Sequence, residues 1–388
     1  MRTILFTGKG GVGKTTVAAA TALLTAKQGK RTMIMSTDAA HSLSDSFETQ
    51  LSGVPTKITR NLHGLEVDVQ MELDTHWAEI ECYITELLRS QGIDDITSRE
   101  LAIVPGMEIV SGLFYIDKFK QEGEYDVLII DTAPTADTIR LLALPDAVEW
   151  YFKHFFEMNR RTSKVLRGTV SRLVKMPMPS DDVYANVLYL YNKIKRTREH
   201  LVDADQTSIR LVLNPEKMVI NESQRALNYL SLFGYHVESI IANKIIPKEV
   251  DDDYFQRWKK DQKEYMKNLK SQFSPIPILN VPMFNKEILG PKMLMELADT
   301  LYKGTDPTKV LSKTKLISTY RQKGNYVVSL KLPFARSQDV QLHTKSDELI
   351  VKVGNIKRII WLPHAIEGKE PKEAKFFKGR LLIKFEGD

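Results

Sequence analysis

The 388-residue chain holds a single cysteine, Cys82. One thiol excludes an internal disulfide framework, and any metal site that needs two or more cysteines of one chain. A reducing compartment, the cytoplasm, is the expected setting. Long apolar runs are missing too. Nothing approaches the ~18 residues of a membrane span, so the chain is expected to touch a membrane at most. A secretory leader is not expected, because Met1-Arg2-Thr3-Ile4-Leu5-Phe6 runs straight into a glycine-rich loop. What is present, 43% hydrophobic and 27% charged residues, fits a globular protein long enough for two or three domains.

Negative charge is scarce in two places. Residues 313–388 carry 16 Lys and Arg against 8 Asp and Glu, and residues 151–200 carry 11 against 4. The whole chain is only +6, so two basic blocks sit on an acidic body. Solvated faces account for most such blocks. The alternative is contact with anionic lipid or an acidic client. No nucleic-acid partner is expected.

Residues 3–7 read as a short buried strand, 12–28 as an alanine-rich helix closed by Gly29, and 31–37 as a second strand. The run 125–132 (YDVLIIDT) is apolar throughout, as a parallel strand covered on both faces should be. Residues 209–213 and 240–242 look like further strands, with helical patterns between. Strands alternating with helices imply an α/β fold with a mostly parallel sheet over residues 1–302. Two helical stretches interrupt the alternation, roughly 70–115 and 147–205. The second carries Tyr151, Phe152, Phe155 and Phe156, then Leu166, Val170 and Leu173 at near-helical spacing. Such a stripe either packs into its own domain or offers an apolar surface to a client. Past residue 302 the texture changes. Residues 326–332, 340–343, 349–353, 358–362 and 381–385 are short and β-rich. They predict a small all-β sandwich over 313–388, joined through residues 303–307.

The segment Gly8-Lys9-Gly10-Gly11-Val12-Gly13-Lys14-Thr15 fits G-x-x-x-x-G-K-[ST], with a strand before it and a helix after, and Thr16 following. Glycines let backbone N–H groups close around phosphate oxygens, and the helix N-terminus adds its dipole. Lys14 is expected to reach the β- and γ-phosphates of ATP, and the Thr15 hydroxyl to ligate Mg²⁺. Asp131 ends the apolar strand, where a Walker-B aspartate would hold the metal through water; a helix cap is the plainer role. Lys9 is a second lysine inside the loop. It is either a solvated loop lysine or a group that reaches the phosphates of a facing subunit and stabilises transition-state charge. Asp45 lies on a Ser/Asp-rich loop after the second strand. It is a candidate to orient the attacking water, with helix capping as the alternative.

These motifs are similar to those of the arsenite-pump ATPase family, one branch of which targets tail-anchored membrane proteins. The resemblance rests on GKGGVGKTT, on Ser36-Thr37-Asp38-Ala39-Ala40-His41-Ser42-Leu43-Ser44-Asp45, and on DTAPT at 131–135 with Ile139-Arg140-Leu141-Leu142. It covers roughly residues 1–300. It implies a homodimer that sandwiches nucleotide and captures hydrophobic clients. It implies Asp38 near the metal's water shell, Asp45 positioning water in switch I, and Asp131 with residues 132–138 as switch II. It also implies that Asn243 reads the adenine and that Pro282 and Met283 cover it. Departures are plain. The targeting branch has a C-x-x-C pair that binds zinc across its dimer, and this chain has none. Ala136-Asp137-Thr138 stands where Gly-His-Thr is usual, and Ala39 where proline is usual. The cysteine count argues against a metalloid-pump subunit and against an iron–sulfur electron carrier. The β-rich end argues against a membrane-surface organising ATPase that uses a terminal amphipathic helix.

Residues 324–386 resemble the α-crystallin domain of small heat-shock proteins, through Tyr326–Pro333 (YVVSLKLP), residues 349–353, Leu362-Pro363 and residues 379–383. Their long N-terminal arm is absent. The resemblance implies a chaperone-like sheet edge; an immobile brace on the ATPase is the other reading.

Overall fold

A computed structural model of the chain describes residues 1–38, 42–67, seven positions between 82 and 94, 107–151, 181–322, 324–345 and 347–387. The chain divides into two compact units. The first is Met1–Glu66 with Gly123–Leu142 and Leu201–Asp388, and the second is Val67–Glu122 with Ala143–His200.

The first unit is built on an eight-stranded sheet. Its strands are β1 (Arg2–Thr7), β2 (Thr32–Ser36), β3 (Thr56–Thr59), β4 (Leu62–Glu66), β5 (Val127–Asp131), β6 (Thr207–Leu213), β7 (Val237–Ile245) and β8 (Ile278–Pro282). The order is β3-β4-β2-β5-β1-β6-β7-β8, parallel except for the β3–β4 pair. Strands β2, β5 and β6 are buried along their whole length; β5 reads as an apolar run for that reason, while β6 buries Arg210 within it. Strands β3, β4 and β8 were not expected from the sequence. β3 and β8 are edge strands with mixed exposure, so they lack the continuous apolar signal of the centre.

Helix α1 (Lys14–Lys27) packs along this sheet, eleven of its residues buried. Alanines let it approach closely. It starts at Lys14 rather than at residue 12, because Gly13 sits at φ 91°. A short helix α2 (Ser42–Phe47) follows β2. Further helices among the described residues are α3 (Met107–Glu122), α4 (Thr135–Tyr151), α5 (Asp181–Val202), α6 (Lys217–Phe233), α7 (Asp253–Gln272) and α8 (Gly290–Tyr302).

Beyond α8 the chain forms the expected antiparallel sandwich. One sheet has the order β14 (Pro371–Phe377), β15 (Arg380–Phe385), β10 (Asn325–Lys331), β9 (Ile317–Gln322). The other has β11 (Val340–Lys345), β12 (Glu348–Val353), β13 (Ile356–Trp361). The core between them holds Val328, Leu330, Leu349, Val351, Ile383 and Phe385, and with them Leu232 from helix α6. The Arg358 guanidinium donates to the Leu232 carbonyl, and the Asn228 amide oxygen accepts from the Phe334 N–H at 3.0 Å. The sandwich therefore shares its core with the ATP-binding-type unit.

In the second unit, α3 and α5 are joined by the Arg196–Asp117 ion pair at 2.8 Å and by the Thr197 hydroxyl donating to the Leu113 carbonyl at 3.2 Å. Helix α4 begins in the first unit and ends in the second, with Pro145 inside it. The aromatic stripe Phe152, Phe155, Phe156, Leu166, Val170 and Leu173 lies outside the described residues, as does Ala39.

Candidate active site

The loop between β1 and α1 is the expected phosphate cradle, and its shape depends on missing side chains. A Cβ on Gly8 (φ 155°) would stand 2.1 Å from the Val212 carbonyl oxygen of β6. One on Gly13 (φ 91°) would stand 2.4 Å from the Asn243 amide nitrogen. The first contact is with backbone, so β6 demands glycine at position 8; at position 13 the Asn243 amide would have to give way, and the positive φ itself favours glycine. Strand β7 also ties the loop down. The Asn243 side-chain amide donates to the Val12 carbonyl at 2.8 Å, and the Lys244 ammonium donates to the Gly11 carbonyl at 3.0 Å. Gly10 and Gly11 face open space. Lys14 is 6% exposed, and its ammonium donates to the Lys9 carbonyl at 3.4 Å, a long contact that a phosphate would outcompete. Lys9 is half-buried and Thr16 lies in the first turn of α1.

Below the loop, parallel register brings Phe6, Ser36 and Asp131 side by side at the strand tips. Asp131 is fully buried, and neither carboxylate oxygen has a hydrogen-bond partner at bonding geometry. Burial pushes its carboxyl up to about 7, against the pull of the nearby Thr15 hydroxyl and the Lys14 ammonium. Even with Lys14 near, the ionised form is penalised there, so a further cation would be favoured. Thr15 Oγ1 and Ser42 Oγ lie 3.2 Å apart, and the partly exposed Asp38, near enough to disfavour ionisation of Asp131, stands beside them. Hydroxyl and carboxylate oxygens are the ligand chemistry of a hard divalent cation such as Mg²⁺, and the orphaned Asp131 oxygens fit one. Thr15, Asp38 and Asp131 are the groups that would hold it.

Two segments flank this centre. After β5, Thr132 donates to the Phe6 carbonyl at 2.8 Å, and the Thr138 hydroxyl lies 2.8 Å from Thr132 Oγ1 and 2.7 Å from the Ala133 carbonyl. Thr7 donates to Thr138 at 3.2 Å. This buried hydroxyl chain fixes the 132–138 turn, while Asp137 pairs with Arg140 at the surface, 3.2 Å. After β2, helix α2 carries Asp45, exposed in its first turn. Asp45 lies inside the helix, so it is not the cap. Glu66 at the end of β4 does that work, accepting from the Ser44 N–H and from the Ser44 hydroxyl at 2.9 Å each. Sequence reasoning missed Glu66 and Ser42. An acidic residue at the tip of a parallel strand was the available signal for the first.

The residues expected around an adenine sit at the tips of β7 and β8. Pro282 pairs with Ile245 across the two strands, the Met283 N–H donates to the Ile245 carbonyl at 2.7 Å, and Met283 is 40% exposed. Asn243 comes close by through its bond to Val12. The geometry brings together Gly8 to Thr16, Asp38, Asp131 and Asn243 at the carboxyl ends of the strands, where open α/β sheets bind ligands, with Asp45 exposed on the helix that Ser42 opens.

Comparison with known proteins identifies the family of the chain. Residues 1–303 match the model of the anion-transporting ATPase family, and residues 323–385 match the HSP20-like domain found in ArsA. The chain is 40% identical over 393 residues to putative arsenical pump-driving ATPase 1 of Aquifex aeolicus, with 99% of each chain covered. It is 39% identical over 389 residues to the putative arsenical pump-driving ATPase of Chlorobaculum tepidum, covering 100% of this chain and 96% of that one. It is 25% identical over 308 residues to ATPase ASNA1 homolog 1 of Paramecium tetraurelia, covering 78% of this chain and 93% of that one. The chain belongs to the anion-transporting ATPase family, as an ATPase whose nucleotide-binding domain is followed by an HSP20-like domain.

Proposed function

We propose that this ATPase is a Mg²⁺-dependent homodimer that captures apolar protein segments, tail-anchored membrane proteins among them, and releases them on ATP hydrolysis. One observation carries the reading. The HSP20-like sandwich is built into the ATPase unit through Leu232 and Arg358, so a chaperone-type module shares a core with the nucleotide machinery. The 132–138 turn also opens the helix that runs on into the second unit, which gives nucleotide a covalent path to the helical insert.

Within the site the backbone amides of Gly8 to Thr15 hold the triphosphate, and Lys14 neutralises its β- and γ-oxygens. Bound Mg²⁺ would offset charge developing on the phosphate oxygens. Asp45 orients water in line with the γ-phosphate, Lys9 reaches across the dimer, and Asn243, Pro282 and Met283 enclose the adenine.

The names of the Aquifex and Chlorobaculum relatives favour a second reading, the energising subunit of an anion or metalloid pump. One experiment separates the two. A fluorescent peptide with a single membrane-spanning helix is offered to purified protein. The proposal expects wild type to keep it soluble and release it during turnover, and Asp45→Asn to hold it without release. Aggregation in every nucleotide state, together with arsenite-stimulated hydrolysis, would replace the proposal with the pump reading.

A further inference from the structure

Ser42 has no role in the site so far. It opens helix α2, and its hydroxyl faces Thr15 at 3.2 Å. The helix holds it there. Glu66 fixes Ser44 at 2.9 Å by two hydrogen bonds, and the Ser46 hydroxyl donates back to the Ser42 carbonyl at 3.0 Å. These bonds fix the backbone that carries Ser42, and the hydroxyl itself is held by its contact with Thr15.

The distance is informative. A hydroxyl–hydroxyl hydrogen bond closes to about 2.7–2.8 Å, and this pair stands wider, at 3.2 Å. Two oxygens that share one octahedral Mg²⁺ at roughly 2.0–2.1 Å, as neighbours in its shell, stand about 2.9 Å apart. The pair is close to that spacing. Asp131, the buried carboxylate with two unpartnered oxygens, lies next to Thr15. Thr15 is thus the neighbour of both the Ser42 hydroxyl and the orphaned Asp131 carboxylate, which links α2, α1 and β5 at one point.

We propose that Ser42 is a second hydroxyl ligand, beside Thr15, for the divalent cation of the nucleotide site, and that this bond ties helix α2 and its Asp45 to the metal. The inference rests on the Mg²⁺–nucleotide reading above and deepens it. Its consequence is mechanical. The water-orienting carboxylate sits on the same six-residue helix, three positions on from the metal-binding hydroxyl, so metal arrival sets its position. Ser42 is a positioning residue for Asp45 as well as a ligand.

The test compares wild type, Ser42→Ala and Ser42→Thr in three measurements. These are Mg²⁺ affinity of the ADP-bound protein by calorimetry, ADP affinity in EDTA, and amide-hydrogen exchange of residues 42–47 with and without Mg²⁺. Ser42→Ala should lose about tenfold in Mg²⁺ affinity, keep its metal-free ADP affinity within about twofold, and lose the protection that Mg²⁺ gives to α2. Ser42→Thr, which keeps a hydroxyl, should recover both. Unchanged Mg²⁺ affinity in Ser42→Ala would overturn the proposal alone. An equal fall in metal-free ADP affinity would overturn it too, by showing a general loss of the loop. A wild-type protein that binds no Mg²⁺ with ADP would remove the underlying reading along with it.

Discussion

Asp131 is penalised by its burial. Its carboxyl titrates at about 7 in the folded chain against an ordinary 3.8, because burial outweighs Thr15 and Lys14. A raised folded value means stability that is fully present below the ordinary value and lost as pH rises through the folded one. Metal-free protein should therefore lose about 1 kcal/mol from this group between pH 6 and pH 8. Asp131→Asn should flatten that slope and raise the melting temperature at pH 8 in EDTA, while abolishing Mg²⁺-dependent turnover. Thermal melts across pH on both proteins check it; an identical slope in the variant would contradict the assignment. Asp45 behaves differently, being exposed and not a cap. Asp45→Asn should leave ATP affinity near wild type and reduce turnover by at least about 10²-fold, the usual scale for a lost catalytic positioning group. Steady-state hydrolysis and nucleotide titration on one preparation decide it, and turnover within a few-fold of wild type would exclude the role.

Helices α6 and α8 connect parts that sequence would treat as separate. Leu232 is fully buried inside the sandwich core, so Leu232→Ala should cost about 2–5 kcal/mol. Because that core is shared, the loss should appear as lowered stability of the sandwich and the ATPase in one transition. Two well-separated melting transitions with only the sandwich affected would show that the core is not energetically shared. A second link runs beneath the sheet. Arg210 and Glu238 are fully buried and paired at 2.8 Å, Arg2 joins Glu238 at 3.0 Å, and Arg210 also donates to the Tyr302 hydroxyl at 2.7 Å and to the Pro307 carbonyl at 2.6 Å. Tyr302 in turn meets Thr21 of α1 at 2.6 Å. Burial pushes the Glu238 carboxyl up, and Arg210 and Arg2 pull it back below the ordinary glutamate value. Removing one member would leave a buried charge unpaired. The network fixes the strap between α8 and the sandwich to the helix that follows the phosphate loop.

At the scale of the whole molecule the proposal needs two chains. Lys14 already occupies the place of the loop lysine on its own phosphates, so a catalytic Lys9 must act on a facing subunit. Lys9→Ala alone should hydrolyse slowly. Mixing it with Asp45→Asn, which retains Lys9, should restore part of the activity, because one site in the mixed dimer then has both a competent Asp45 and an intact facing Lys9. Mixed dimers confirmed by native mass spectrometry without any recovered turnover would remove action in trans. No described helix is long and apolar enough to cross a membrane.

The sequence by itself determined the strand–loop–helix at residues 2–27, the buried strand ending in Asp131, and the change to a β-sandwich after α8. Each is written in neighbouring residues: glycines at fixed spacing, an unbroken apolar run, alternation broken by turns. Strands β3 and β8 escaped because edge strands carry no such run, and the inner β4 because its five residues, LHGLE, mix polar and apolar side chains. The tertiary structure alone decided which groups meet. Asn243 bonds Val12 from 231 positions away, Glu66 caps a helix 22 positions earlier, and Leu232 enters a core made of residues beyond 325. Local periodicity cannot report these contacts, since they depend on the register of parallel strands and on which face of a helix another domain covers. The same holds for Asp131. Its position at a strand tip was legible, but the burial that raises its carboxyl exists only once Phe6, Ser36 and α1 have closed around it.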